Sequence, residues 1–422
     1  LNPRYGGSIN DQSLIRYLTE LKRRNLQVVL YPMIFVDLPS KPWRGRITGG
    51  ASDVEQFFNK KNGGYNQFIL HYAYLAKDLV DVFIIGSELK SITAISEQKA
   101  SFPAVNQLVK LADKVRNIMG QKVKLTYAAD WSEYHHSHDG WFNMDQLWAS
   151  PAIDFVGIDA YLPITRTQSS QISQEQIMHG WHSEEGFDYY FDKDGNKIPL
   201  QKNHAWKDFQ YWWNNYHINP DGQQSLWRPK MKKVWFTEFG FPSIDKAPNQ
   251  PNVFYDPDCL DGGVPIYSNG ATDLFIQRKS IKASLKYWQN SQIVEKMYLW
   301  TWDARPYPAW PHKYIWADGH LWEKGHWING KLAFATLEGV VRYICSQAGI
   351  DDEQISVSNL DYPIEGIIFD KNISSRQAID LLRCCYFFDI YCQKGKLIFC
   401  KRFHQDAINI DSGSLVFNAP GG

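Results

Sequence analysis

The chain has 422 residues, with 45 basic and 45 acidic side chains and a formal net charge of zero. This length exceeds that of one ordinary domain and predicts two or three. The balanced charge argues against nucleic acid or an anionic membrane surface as a partner, because both need a surface of one sign. No stretch approaches the ~18 to 20 apolar residues of a membrane span, and Leu1 does not begin a signal peptide.

Aromatic side chains make up 15% of the chain, including 17 Trp and 23 Tyr. Large rings are seldom buried completely, so some of them should line a surface or a cleft. Sugars stack their C–H faces on such rings, and the excess therefore favours a carbohydrate partner. Ordinary packing in a large core is the alternative for any single ring.

The first 330 residues alternate helix-like and strand-like stretches, which is typical of a parallel sheet with crossover helices. Residues 11–24 place Leu14, Leu18 and Leu21 on one helical stripe, and the run QVVLYPMIF that follows is strand-like. The pattern predicts an α/β fold of the (β/α)₈ TIM barrel type. Further strands are predicted at 80–86, 124–129, 153–161, 232–240 and 295–302, and further helices near 65–79, 103–119 and 272–289.

Six predicted strands are two short of a closed (β/α)₈ barrel. Because the first predicted helix precedes the first predicted strand, we expect the missing N-terminal units to lie upstream of Leu1. The strand at 82–86 is then the fourth of the barrel, and the strand at 232–237 is the seventh.

Two long segments interrupt the alternation within the barrel domain, 1–330. Residues 162–231 and 303–330 are polar and aromatic, and both are far longer than ordinary connections. We expect the insertion at 162–231 to have short elements of its own and to lie over the barrel mouth, where functional loops concentrate.

A different pattern begins near residue 331 and predicts a small α+β domain over 335–422. Its second helix should open at Ser374 or Ser375, and a hairpin should turn at Lys394 and Gly395. Five of the six cysteines fall in the last ~80 residues without the spacing of a zinc site, and we expect most of them to be buried free thiols. The predicted core of this domain consists of Leu337, Val341, Ile344, Ile379, Leu382 and Ile398.

Two of the predicted barrel strands end in a glutamate. Glu88 lies in the run FIIGSELK and Glu238 in the run VWFTEFG, and the strand period of two points both carboxylates into one mouth. Hydrolysis of a glycosidic bond needs one carboxylic acid to protonate the leaving oxygen and one carboxylate to attack or stabilise the anomeric carbon. The alternative for each glutamate is a structural role in a surface ion pair.

The motifs GSE and TEFG resemble those of the large clan of retaining TIM-barrel glycosidases that includes cellulases, mannanases and β-galactosidases. The resemblance implies that Glu88 is the acid/base and Glu238 is the nucleophile. Most of that clan has Asn before the acid/base glutamate, where it hydrogen-bonds the sugar 2-hydroxyl, and this chain has Ser87 at that position.

A closer resemblance covers nearly the whole chain. It is to the TIM-barrel domain of the large baseplate protein of gene transfer agents and related tailed phages, and residues from about 335 resemble the phage-tail module that follows that barrel. The resemblance implies a tail or baseplate component of a phage-like particle, made in the bacterial cytoplasm, with other tail proteins and cell-envelope glycan as partners. The stretches that carry it include YPMIFVD, PWRGRITG, FIIGSELKSIT, YAADWSEYHH, VGIDAYLP, WFTEFGFPSIDKAPNQPNVFYDP, TWDARPYPAWP and WADGHLWEKGHWING.

Further substrate-binding candidates stand at other strand ends. Asp159 and Tyr161 share a face at the end of IDFVGIDAY, and in the glycosidase clan a strand-end Tyr often hydrogen-bonds the nucleophile. Trp300 and Trp302 end the last strand, where the clan commonly stacks the sugar on a Trp. We expect one of the two to face the cleft.

The run DWSEYHHSH at 130–138 follows the strand at 124–129. We interpret it as a polar, sugar-contacting loop in which Trp131 binds substrate. The alternative is a metal cluster, although the run lacks a fixed ligand geometry. Neither a metal nor another cofactor is predicted. The residues that the metal alternative would use are Asp130, Glu133, His135, His136 and His138.

The leading interpretation is therefore a retaining glycoside hydrolase-like enzyme, and the alternative is a non-catalytic structural or receptor-binding baseplate domain. A retaining pair predicts carboxyl groups roughly 5 to 5.5 Å apart, whereas roughly 6.5 to 9.5 Å would indicate inversion. As the acid, Glu88 should carry a proton near neutral pH, favoured by partial burial and by the charge of Glu238.

Overall fold

The structure is a computed structural model of the chain. The chain folds as two units, Leu1–Asn329 and Gly330–Gly422. Within the described residues, no helix has both the length and the apolar character that a membrane crossing needs. The structure describes residues 9–97, 101–169, 171–182, 189–191, 197–199, 202–305, 313–328, 335–360, 362–364, 366–402 and 411–414.

The first unit is built on a six-stranded parallel sheet that curls into a half-barrel. Its order is β1-β2-β3-β4-β7-β8, so the sequence prediction of six parallel strands is confirmed. The inner strands β2, β4 and β7 are buried along their whole length, as strands covered on both faces should be. The strands are β1 (Val29–Leu30), β2 (Val82–Ser87), β3 (Lys124–Asp130), β4 (Val156–Asp159), β5 (Tyr189–Phe191), β6 (Lys197–Pro199), β7 (Val234–Phe239) and β8 (Val294–Leu299).

Helices connect successive strands of the half-barrel, and the longer ones lie where their apolar periodicity predicted them. The buried positions of α5 recur every three or four residues, which is the stripe that a helix needs to pack on a sheet. The helices are α1 (Asp11–Arg23), α2 (Ala51–Asn59), α3 (Tyr65–Ala76), α4 (Lys90–Thr93), α5 (Pro103–Met119), α6 (Asp145–Trp148), α7 (Gln174–Gly180), α8 (Phe209–Asn214) and α9 (Leu274–Trp288).

The first strand is much shorter than predicted. Of the run at 27–35, only Val29 and Leu30 pair with β2. Pro32 has no N–H to donate to a ladder, and Tyr31 directs its hydroxyl to Asp159 at 2.7 Å. Most of the apolar run at 27–35 is therefore irregular, and its Tyr31 side chain reaches the site. Helix α2 was not predicted.

The insertion at 162–231 has short elements of its own, as expected. Helix α7 packs on α9, where the Trp181 indole donates to Ser284 Oγ at 3.0 Å. Strands β5 and β6 form an antiparallel pair, and α8 follows. Ile164 N also donates to Pro248 O at 2.8 Å, which ties the start of the insertion to the loop after β7.

Rings from the insertion pack against the loop that follows β3. His136 stacks on His204 at 4.7 Å between ring centroids and on Trp206 at 4.8 Å, and His217 stacks on Trp227 at 5.5 Å. His217 Nδ1 also lies 2.7 Å from Asp145 Oδ2. We call this cluster the histidine–aromatic stack. Its members are His135, His136, Phe142, His204, Trp206, Trp212, His217 and Trp227.

Position 86, near the end of β2, has no room for a side chain because Tyr65 lies close to it. A Cβ at this position would overlap the hydroxyl oxygen of the buried Tyr65. Gly86→Ala is therefore expected to lower the free energy of unfolding by roughly 2 to 4 kcal/mol, because either Tyr65 or β2 must move. Urea unfolding of the full chain measures this. Gly263→Ala, whose Cβ would make only ordinary contact, is the control, and an equal effect of the two changes would contradict the prediction.

The second unit has a three-stranded sheet with the order β10-β13-β12 and two helices. Ser374 caps the second helix, since its Oγ accepts from Gln377 N at 3.2 Å. The hairpin turns at Lys394 and Gly395, both with positive φ, as predicted. The elements are β9 (Ala335–Thr336), α10 (Leu337–Gln347), β10 (Ile355–Ser358), β11 (Pro363–Ile364), α11 (Ser375–Tyr386), β12 (Phe388–Gln393) and β13 (Lys396–Lys401).

The core of the second unit differs from the prediction at one position. Five of the six predicted residues are buried in one cluster, but Ile398 is not among them, and Phe399 takes its place. Side chains of a strand alternate between faces, so an error of one residue on β13 exchanges the two.

The prediction that the cysteines are free thiols is confirmed, but the prediction that most of them are buried is wrong. All six cysteines are free and lie in the described residues, but only Cys345 is buried. Cys384, Cys385 and Cys392 are exposed, because they lie on the outer sides of α11 and β12.

Candidate functional site

Glu88 lies immediately after β2, at the carboxyl end of the sheet. The pairing of β2 with β3 loses its regular register between Ile84 and Ser87. Glu88 itself has a φ of 50°, in the left-handed region that residues with a side chain rarely adopt. A bulge and a strained backbone at a strand end are common devices for aiming a functional side chain. Glu88 is 7% exposed.

Two side chains from the loop after β1 hold the Glu88 carboxylate. The Trp43 indole donates to Glu88 Oε2 at 2.6 Å, and Arg44 Nη2 lies 2.8 Å from the same oxygen. Arg44 Nε also donates to Ser87 Oγ at 2.9 Å. Sequence reasoning gave neither Trp43 nor Arg44 a role, although both lie in the stretch PWRGRITG. Ser87 is thus part of the site, as an acceptor for Arg44.

Glu238, near the end of β7, has a different environment. It is 5% exposed, and its Oε2 accepts a hydrogen bond from the Tyr161 hydroxyl at 2.7 Å. Its Oε1 has no hydrogen-bond partner among the described residues. Burial, and then the charge of Glu88, raise the pKa of Glu238 to about 8. The two glutamates therefore share one electrostatic environment.

Asp159 ends β4 beside Glu238 and is completely buried. Its oxygens accept from the hydroxyl of Tyr31 at 2.7 Å and from Thr237 Oγ1 at 2.8 Å. Burial, followed by the charges of Glu238 and Glu88, raises its pKa well above 3.8. Asp159 is therefore a hydrogen-bonded support between β1, β4 and β7. Tyr31 was not predicted as a site residue.

Tyr161→Phe is expected to raise the pKa of Glu238 further above about 8. The Tyr161 hydroxyl donates to the ionised carboxylate, and this bond lowers that pKa. Carboxyl titration of glutamate-labelled protein by ¹³C NMR measures the change. Tyr74→Phe, at an exposed ring on α3, is the control. A Glu238 titration that stays in place in Tyr161→Phe would show that the bond is not formed in solution.

The run 130–138 is placed beside the glutamates, but its polar groups bond one another. Glu133 accepts from Thr93 Oγ1 at 2.7 Å and from the Tyr127 hydroxyl at 2.9 Å, and burial raises its pKa to about 8. Asp130 accepts from Ser132 N at 2.9 Å, and burial raises its pKa to about 6. His135 and His136 belong to the histidine–aromatic stack. Among the described residues, no group of three or more His, Cys, Asp or Glu could hold a metal ion.

The three candidate tryptophans lie in different environments. Trp300 lines a cavity of about 170 Å³ inside the half-barrel, together with Glu238 and Tyr31. Trp302 is 63% exposed. Trp131 is buried, and its ring packs edge-on against Trp206 at 6.1 Å, so the insertion covers it. Of the pair Trp300 and Trp302, the former is the one beside Glu238.

The two carboxyl groups differ in their hydrogen-bond partners. Glu88 accepts two donors, one of them cationic, and such contacts favour a carboxylate. Glu238 accepts one neutral donor and has a raised pKa. The sequence predicted the proton on Glu88, and this stays a prediction. The Arg44 contact, which could not be foreseen from the sequence, favours the charged form of Glu88 instead.

The curled sheet of six parallel strands defines the first unit as a partial TIM barrel, with buried carboxylates and a tyrosine at the carboxyl ends of its strands. The chain belongs to the GTA TIM-barrel-like domain family, whose model matches residues 63–311. The resemblance of the barrel to that of gene transfer agents is thereby confirmed. The resemblance of the residues from about 335 to a phage-tail module stays a prediction.

Solved structures similar to this chain include TIM-barrel glycosidases. A GH113 β-1,4-mannanase complex is 17% identical, with 78% of each chain covered and a TM-score of 0.46. The GH113 β-mannanase of Alicyclobacillus acidocaldarius is 18% identical over 76% of this chain and 75% of that one, with a TM-score of 0.43. The native xylanase 10B from Thermotoga maritima is 9% identical over 76% and 74%, with a TM-score of 0.36. No curated protein matches the chain.

Proposed function

We propose that the first unit is a retaining glycoside hydrolase-like domain of a phage-type tail or baseplate protein and that it acts on cell-envelope glycan. One observation carries this proposal: two buried carboxylates at the ends of β2 and β7 share one site, since the charge of Glu88 raises the pKa of Glu238. Pairs of carboxyl groups whose environments differ in this way are the machinery of glycoside hydrolysis.

The chemistry proceeds in two steps. The Glu238 carboxylate attacks the anomeric carbon, the glycosidic C–O bond breaks, and the leaving oxygen takes the proton of Glu88. Water then attacks the glycosyl-enzyme, gives its proton to Glu88 and releases Glu238 as a carboxylate. The pair needs one proton to begin. The raised pKa of Glu238, about 8, favours a proton on the nucleophile, whereas the mechanism requires that proton on Glu88 before the leaving group departs.

Neighbouring residues suit a sugar. The Tyr161 hydroxyl orients the nucleophile through its bond to Glu238. Trp300 lines the same cavity as Glu238, and a sugar can stack on a tryptophan ring there. Glu238 Oε1 has no partner among the described residues, as expected for the atom that meets the anomeric carbon.

The tail location rests on the family and on the resemblance of the second unit. The matched family is described as the GTA TIM-barrel-like domain, which supports a role in a gene transfer agent or phage-like particle. In this proposal the second unit attaches the half-barrel to other tail proteins and has no catalytic residue.

A non-catalytic glycan-binding domain is the second candidate, and one observation favours it. The side chains of Trp43 and Arg44 both contact Glu88 Oε2. In a hydrolase, Glu88 must instead protonate the leaving oxygen. A barrel can keep its fold after losing its activity.

The deciding experiment is a screen of the full chain on aryl glycosides and cell-envelope glycans, with the anomeric form of the first product read by proton NMR. Retained configuration supports the proposed mechanism, and inverted configuration contradicts it. Saturable binding of a glycan without any turnover would contradict the hydrolase proposal and support the non-catalytic glycan-binding domain. The control is Glu55→Gln, at an exposed glutamate on α2.

A further inference from the structure

The Asp261 carboxylate joins two loops at the carboxyl end of the sheet. Asp261, on the loop after β7, accepts from Trp43 N at 2.9 Å and from Arg46 Nε at 2.6 Å. Leu260 N donates to Ser40 O at 2.8 Å, which adds a backbone bond between the same loops. We call residues 40–46 and 256–261 the loop clasp.

The loop clasp delivers two donors to Glu88. Asp261 binds the backbone of Trp43 and the side chain of Arg46, which flank Arg44 on both sides. Arg44, with a side chain 11% exposed, then lies 2.8 Å from Glu88 Oε2 and donates to Ser87 Oγ. The conformation of the 40–46 segment therefore decides whether a cation faces Glu88.

We propose that Arg44 is a positioning residue which, held in place by Asp261, keeps the Glu88 carboxylate ionised while no substrate is bound. Arg44 is suited to this role because a guanidinium stays charged in proteins and offers a fork of donors to a carboxylate. In this arrangement Ser87 serves to orient Arg44.

Arg44 is the cation in contact with Glu88 among the described residues. Lys90, the other nearby cation, donates to Ser132 Oγ at 2.6 Å and acts on Asp130. The remaining neighbours are acidic or neutral, so removal of Arg44 leaves Glu88 among groups that disfavour its charge. The titratable and charged groups around Glu88 are Arg44 and Tyr31 after β1, Asp130 at the end of β3, Asp159 at the end of β4, Tyr161 after β4, Glu238 on β7 and Lys90 on α4.

The catalytic consequence of this inference rests on the proposed function. If the domain hydrolyses glycosides, a substrate must displace Arg44 from Glu88 so that the proton can pass from Glu238 to the acid. The loop clasp then couples binding in the mouth to the protonation state of the pair. The position of Arg44 itself does not depend on turnover.

The test uses the full chain labelled with ¹³C at glutamate Cδ and observed by NMR at about pH 6. Signals are assigned by their loss in Glu88→Gln and Glu238→Gln. In the unaltered protein the Glu88 signal is expected at the shift of a carboxylate. In Arg44→Met it should move at least about half of the way to the shift of a carboxylic acid, because the cation is gone.

Three further variants separate charge from packing. Arg44→Lys keeps the cation, so the Glu88 signal should stay in place, and Asp261→Asn should move it in the same direction as Arg44→Met. Arg342→Met, which removes an ion-paired arginine of the second unit, is the matched control and should change nothing. Circular dichroism shows whether Arg44→Met folds. If it does not, Arg44→Lys and Asp261→Asn still test the proposal.

The proposal is overturned if the Glu88 signal is the same with and without Arg44, or if Arg44→Lys moves it as far as Arg44→Met. It is also overturned if Glu88 is already a carboxylic acid in the unaltered protein. None of these outcomes depends on hydrolysis. A chain without turnover whose Glu88 signal responds to Arg44 would contradict the proposed function and leave this inference standing.

Discussion

Glu238→Gln is expected to lower the rate of hydrolysis of any accepted glycoside by at least about a thousand-fold. The nucleophile needs a carboxylate to form the glycosyl-enzyme, and an amide of the same shape cannot attack the anomeric carbon. The substitution keeps an oxygen that can accept from Tyr161, so loss of activity should not reflect loss of structure. Initial rates on the best substrate of the screen measure the effect.

Glu88→Gln should have a smaller effect that depends on the leaving group. An activated aryl leaving group needs no proton to depart, whereas a sugar leaving group does. The exposed Glu55→Gln should keep the unaltered rate on both substrates. Wild-type rates in both Glu238→Gln and Glu88→Gln would end the catalytic assignment and leave the non-catalytic baseplate domain as the function.

The buried histidines of the first unit are expected to lower its stability as the pH falls below about 6.5. Burial lowers the pKa of His135 and of His136 well below 6.5 in the folded chain, whereas in the unfolded chain both titrate near that value. Below about pH 6.5 the unfolded state therefore binds more protons than the folded state, and stability decreases with falling pH. Each histidine can contribute up to ~1.4 kcal/mol per pH unit.

Buried carboxyls act in the opposite direction, and the measurement must separate the two effects. The pKa of Glu133 and that of Glu238 are raised to about 8, so these groups cost stability as the pH rises from about 4.5 to 8. Urea unfolding at about pH 7.5 and 5.5 should therefore be compared between the unaltered chain and His136→Phe, which keeps a ring in the stack. The free energy of unfolding should fall less, or rise more, from about pH 7.5 to about pH 5.5 in the variant than in the unaltered chain.

His138→Gln is the matched control, because this neighbouring histidine is exposed in the folded chain. Its change in the free energy of unfolding between the two pH values should equal that of the unaltered protein. If His136→Phe and His138→Gln have the same pH dependence as the unaltered chain, the buried imidazoles are not the cause.

The location of the site could be predicted from the sequence because helices and strands each have a simple period of apolar residues. Alternating helices and strands predict a parallel sheet, and the carboxyl ends of its strands meet at one edge. Glu88, Asp159 and Glu238 each stand at such an end, and the structure brings them together. Tyr161 contacts Glu238, as the resemblance to the glycosidase clan implied.

The detailed chemistry could not be read in the same way, because it depends on irregular backbone. Glu88 follows a break in register and has positive φ, so the strand period alone does not give its direction. Trp43 and Arg44 reach Glu88 from a loop that Asp261 holds, more than 200 residues further along the chain. No local pattern records a contact of this kind. The core of the second unit shows the same limit of sequence-based prediction. Ile398 was predicted to be buried, but its neighbour Phe399 is the buried residue, because adjacent residues of a strand face opposite sides.

The histidine–aromatic stack has a consequence for how a glycan enters the mouth. Trp206 packs on both His136 and Trp131, so an outward movement of the insertion at this point must break several ring contacts together. Such an opening is a slow, cooperative event and not the rapid fluctuation of an ordinary surface loop. Under the proposed function, the wall beside β3 has a fixed shape for an entering glycan. Adaptation to sugars of different size or branching then falls to residues 40–46, which a few polar bonds hold.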